Sequence, residues 1–75
     1  MAFVAGRHGD RVRISARSSR KAAKAGLNLN QILGDIGRAH GGDGGGHSSA
    51  ASFDARGDPE ALLQECRNRV AELLP

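Results

Sequence analysis

Five of the six residues from Gly41 to Gly46 are glycine, and the run passes directly into His47, Ser48, Ser49, Ala50 and Ala51. Such a run ends any helix before it. It also leaves backbone N–H groups unobstructed by a Cβ, so that the segment can wrap closely around a phosphate or a nucleobase. The sharp change into His47 marks a binding loop rather than a spacer.

Around this loop there is material for one core only. The 75 residues make a single domain, residues 1–75, near the lower limit at which a hydrophobic core alone holds a fold. Two Phe and no Trp or Tyr leave that core aliphatic, and they leave few aromatic platforms for stacking bases. The formal charge of +3 is unevenly spread. Basic residues crowd into Arg7 to Lys24 and acids gather after Asp54, which suits an anionic partner on the N-terminal side. A single cysteine, Cys66, excludes an internal disulfide and fits a reducing compartment. No apolar run approaches the ~20 residues that span a bilayer. Met1 to Gly6 lacks the basic flank and length of a signal peptide. The expectation is a soluble, cytoplasmic domain with no membrane partner.

Periodicity supplies the elements. Phe3 to Ala5 is a short apolar run, and Arg7-His8-Gly9-Asp10 reads as a turn into a second strand. From Arg11 to Arg17, Val12, Ile14 and Ala16 alternate with Arg11, Arg13, Ser15 and Arg17, the pattern of a half-buried strand with a basic outer face. Ser18 to Gly26 has no strong apolar stripe and reads as a loop. Asn28 can cap a helix with Gln31 three residues on, and Leu29, Ile32, Leu33 and Ile36 follow at helical spacing. Gly34 and Gly37 weaken that helix by roughly 1 kcal/mol each, so packing against a sheet must hold it. After the glycines, Ala50 to Phe53 reads as a core strand. Asp58-Pro59-Glu60 then starts a last helix whose stripe is Leu62, Leu63, Cys66, Val70, Leu73 and Leu74. The order is ββαβα: a small two-layer α+β domain, its β-sheet covered by two helices.

Little catalytic chemistry is present. His8, His40, His47 and Cys66 show no paired spacing of the kind that holds zinc, and Cys66 falls on the apolar face of the last helix. The glycines are not a P-loop, because His47 and Ser48 stand where Lys and Ser or Thr would be required. Ser48 beside His47 does not make a triad. No catalytic residue and no metal site are expected in these residues.

Three segments carry a resemblance: Val12-Arg13-Ile14-Ser15-Ala16-Arg17-Ser18, Leu29-Asn30-Gln31-Ile32-Leu33, and Gly44-Gly45-Gly46-His47-Ser48-Ser49-Ala50-Ala51. In this order, before a final amphipathic helix, they resemble the C-terminal DHH-associated domain of DHH-family phosphoesterases, which include RecJ-like exonucleases and oligoribonucleases. The similarity runs from Arg11 to Leu74. It implies a division of labour in which a separate DHH domain holds manganese and cleaves the phosphodiester. This chain, with no Asp-His-His triplet, would then be the substrate-binding part of a larger hydrolase, needing no cofactor of its own and working against that DHH domain within one protein. By position, the residues implied to grip single-stranded DNA or RNA, or short oligonucleotides, are Ser15, Arg17, Ser18, Gly44, Gly45, Gly46 and His47.

Physical chemistry points the same way. An outward Arg17 at a strand end can fork two N–H donors onto a phosphate, and the Ser15 and Ser18 hydroxyls can add to them. His47 can donate to a phosphate or sugar, or stack on a base. Arg13 is a weaker candidate on the same face. The sequence departs from the family pattern at Ser52, where a glycine usually follows the two alanines, and in the added Gly41-Gly42-Asp43. Asp43 would weaken phosphate binding unless it points away or pairs with an arginine. Two other readings stand beside the hydrolase. Alanyl-tRNA synthetases end in a related glycine-rich domain that helps to hold tRNA without catalysis, and a protein-interaction domain would use the glycines simply as a flexible loop.

Overall fold

The structure is a computed structural model and describes residues 1–73. Four strands and three helices follow one another as β1 (Ala2–His8), β2 (Arg11–Arg17), α1 (Arg20–Lys24), α2 (Leu29–Ala39), β3 (Asp43–His47), β4 (Ala50–Ala55) and α3 (Pro59–Leu73). The strands form one antiparallel sheet in the order β1-β2-β4-β3. On one face, α2 lies against β3 and β4 while α3 lies against β1 and β2. The two-layer α+β class expected from the sequence is the class observed.

The core follows the alternation. Val12, Ile14 and Ala16 of β2 and Ala51, Phe53 and Ala55 of β4 are buried beneath Leu29, Ile32, Leu33 and Ile36 of α2 and Leu62, Cys66 and Val70 of α3. Burial of the Cys66 thiol pushes its pKa from 9.0 up to about 11. Asn28 caps α2 by accepting from the Gln31 N–H, and Asp58 caps α3 by accepting from the Ala61 N–H at 2.9 Å. At the other end of α2, Gly41 takes φ 76, the Gly42 N–H reaches back to the Gly37 carbonyl and the Gly41 N–H to that of Arg38. This pair of bonds is a Schellman stop, and it turns the chain back into the sheet as β3.

Four elements differ from the sequence expectation. The glycines from Gly44 to Gly46 are not a loop but most of an edge strand, β3, paired along β4 from Asp43↔Asp54 to His47↔Ala50. Glycine carries no side-chain alternation, so strand periodicity is silent there. Ser18 to Gly26 contains the short helix α1, because Ser19 accepts from the Ala22 N–H at 3.1 Å and Ala22 packs against the core. The order is therefore ββααββα. β1 continues to His8, leaving Gly9-Asp10 alone as the two-residue hairpin turn. Leu73 is 60% exposed in an open cleft beside Gly26 and Ile32 rather than in the core. Leu74, placed in the same stripe by sequence, lies outside the described residues.

Candidate nucleic-acid interface

The sheet face opposite the helices is open, and its register sets the side chains in rows. One row runs Ala2, Arg17, Ala50, His47; the next runs Val4, Ser15, Ser52, Gly45; the third runs Gly6, Arg13, Asp54, Asp43. The first two rows meet in a shallow groove of about 260 Å³ lined by Ser15, Arg17, Gly45, Gly46, Ala50 and Ser52. Its floor carries two hydroxyls, on Ser15 and Ser52. One wall is the bare backbone of β3.

The sequence-derived residues divide into three groups. Ser15, Arg17, Gly45 and Gly46 line the groove together. His47 stands at its far rim, exposed, in the same row as Arg17 and about 10 Å across two strand spacings from it. Ser18 and Gly44 are placed elsewhere. Ser18 closes the strand end, donating its N–H to the Ser49 carbonyl at 2.9 Å and its hydroxyl to the Ser19 carbonyl. Gly44 is paired with Phe53 on the helix side, where a methyl group would meet the Phe53 Cβ at 2.5 Å. Its glycine is required by packing.

The charges of the face are partly committed. Arg13 reaches Asp54 at 3.4 Å and the Ser52 hydroxyl at 3.3 Å, so one of its two basic candidates is already paired. Both partners are about half exposed, and such a pair contributes about 0–1 kcal/mol. Among the described residues, Arg17 forms no ion pair or side-chain hydrogen bond. Asp43 lies four residues from His47 along β3, about 13 Å away, and accepts from the Gly44 N–H at 2.8 Å. The carboxylate sits in the third row, away from Arg17.

Two residues of the site are not among the contact residues expected from the sequence. Asn30, in the first turn of α2, accepts the Gly46 N–H at 2.9 Å and so ties the glycine wall to the helix layer. Nothing in the local sequence signals a contact between positions 16 residues apart. Ser52 is legible only as a departure from a pattern, yet it lines the groove between Ser15 and Gly45. The Ser48-Ser49 turn is held from both sides, by Leu29 N–H on the Ser48 carbonyl and Ser18 N–H on the Ser49 carbonyl. Among the described residues no three His, Cys, Asp or Glu side chains are placed to hold a metal ion, and no helix is long and apolar enough to cross a membrane.

An antiparallel sheet with helices on one side, and on the other a groove of hydroxyls, the Arg17 guanidinium and bare backbone, defines a small two-layer α+β domain with a polar open face. The chain belongs to the DHHA1 domain family, the DHH-associated domain, whose model matches residues 1–74. Its fold is similar to that of the C-Ala domain from Aquifex aeolicus alanyl-tRNA synthetase, with 22% identity and a TM-score of 0.71 over 96% of this chain. The chain spans 62% of that solved chain. No protein of curated function matches the sequence.

Proposed function

We propose that the open face binds single-stranded nucleic acid or short oligonucleotides through their sugar–phosphate backbone. The observation that carries this reading is Arg17, an uncommitted guanidinium at the rim of a groove whose other polar groups, Ser15, Ser52 and the β3 backbone, are the kind that contact phosphate and sugar. Membership in the DHHA1 family supports it. In the finer form of the proposal the chain is the substrate-gripping part of a DHH phosphoesterase, of RecJ-like or oligoribonuclease type. The phosphodiester would be cut by manganese held in a separate DHH domain.

The likeness to a domain of an alanyl-tRNA synthetase favours a second reading, in which the same face holds tRNA without any hydrolase. His47 in the Gly44 to His47 run and the Ser15-Ala16-Arg17-Ser18 segment favour the first. Backbone amide shifts during titration with short single-stranded DNA or RNA test the binding itself. Movement centred on Arg17 and Gly45 to His47 is expected, and an unperturbed open face overturns the proposal. A parallel titration with intact tRNA separates the two readings, since the tRNA module would favour tRNA over an oligonucleotide of a few residues.

A further inference from the structure

The two edges of the sheet are treated differently. β3 is closed, with α2 packed against it and its Gly46 N–H taken by Asn30. β1 is open along all seven residues from Ala2 to His8. An edge strand presents a row of unpaired N–H and C=O groups, and stable monomers blunt such edges with proline, lysine, inward charges or bulges. β1 has no proline, lysine or bulge, and its one charge on the helix-side face, Arg7, stands exposed at the end of the strand. The strand contains no Asp or Glu, and its pairing with β2 runs without interruption from Ala2↔Arg17 to His8↔Arg11.

We propose that β1 pairs antiparallel with β1 of a second copy of this chain, giving a two-fold dimer with one eight-stranded sheet. The strand is complementary to itself in the register that uses its whole length. Centred on Ala5, that register sets Ala2 opposite His8, Phe3 opposite Arg7, Val4 opposite Gly6 and Ala5 opposite Ala5. Each large side chain then meets a small one or, for Phe3 and Arg7, a cation meets an aromatic ring. Val4 is 67% exposed, and nothing stands within 4 Å of a Cβ position at Gly6, so each Val4 can lie over the bare backbone of the opposing Gly6 with no side chain in its way. The strand's charged residue, Arg7, falls at opposite ends of the pair rather than against its copy. The net charge of +3 per chain opposes association only at long range and is screened at physiological salt.

A two-fold axis perpendicular to the sheet keeps both open faces on one side. The two Arg17 side chains would then lie about 25 Å apart on a single continuous surface.

Charge variants in the proposed register test it by sedimentation across a concentration series, with circular dichroism to verify the fold. The chain itself is expected to pass from 7.8 kDa towards twice that mass as concentration rises into the hundreds of micromolar. The double substitution Val4→Lys with Gly6→Lys places like charges opposite each other twice and is expected to weaken the dimer about tenfold or more. Val4→Lys with Gly6→Glu places opposite charges there and is expected to associate within about threefold of the unaltered chain. Both positions are open in the single chain, so both variants are compatible with its fold. A mass that stays at one chain at every concentration overturns the proposal. So does a dimer indifferent to the two-lysine variant, or equal loss in the lysine–glutamate variant.

Discussion

Gly37 of α2 and Phe53 of β4 approach so closely that a methyl group on Gly37 would stand 2.7 Å from the Phe53 Cβ. From the edge strand, a methyl group on Gly44 would stand 2.5 Å from the same atom. Helix and glycine strand thus close on one phenylalanine, and the glycines are what permit both layers to touch it.

Gly37→Ala and Gly44→Ala are therefore expected to destabilise the domain by about 1–3 kcal/mol each, read as a lower midpoint in urea. Gly34→Ala is the contrast. There a Cβ meets chiefly the movable Arg38 guanidinium at 3.2 Å, so relief of the helix penalty, up to about 1 kcal/mol, should leave stability unchanged or raised.

On the proposed reading, Arg17→Ala should weaken oligonucleotide binding roughly five- to tenfold for every sequence alike, about 1 kcal/mol or slightly more, and lower the salt slope by about 1. Arg13→Ala should cost less, because Arg13 is already engaged by Asp54 and Ser52. Fluorescence anisotropy at two salt concentrations would measure both. Equal losses would show that the Arg13–Asp54 pair opens on binding.

Asp54→Asn removes the carboxylate that holds Arg13 and one of the two acids of its row. Affinity for a single strand should rise about two- to threefold, in line with the small worth of an exposed ion pair. The salt dependence should steepen. A fall in affinity would mean that the face needs Arg13 where Asp54 now fixes it.

Cys66 gives a pH signature. Burial raises its folded pKa from 9.0 to about 11, so the folded state holds the thiol proton more tightly than the unfolded chain does. This contribution to stability is intact below pH 9 and is lost as pH climbs towards 11. Urea midpoints in the chain should therefore fall more steeply over that window than in Cys66→Ala. In native conditions at neutral pH the thiol should react with an alkylating reagent only as fast as the domain opens.

Much of this architecture is legible in the sequence because side chains announce their faces. The alternation from Val12 to Arg17 placed β2 and its outward Ser15 and Arg17, and the spacing of Leu29, Ile32, Leu33 and Ile36 placed α2. Gly34 and Gly37 in that helix pointed to packing on a sheet, and at Gly37 the close approach to Phe53 is found, whereas Gly34 meets chiefly Arg38. The glycine strand escaped because a residue without a side chain has no face to announce, and for the same reason Gly44 could not be told from Gly45. Asn30 escaped because its bond to Gly46 joins elements that only the folded chain brings together.

The bare wall of β3 has a consequence for what the groove can learn over evolutionary time. A surface made of main chain offers amides that no point substitution can retune, and at Gly46, where a side chain would collide with Ala50 and Ala51, it cannot acquire one. Discrimination between ligands must be written on the opposite rim and floor, at Ser15, Arg17 and Ser52. On the proposed reading, the glycine side would respond only to features common to every repeat of a polymer.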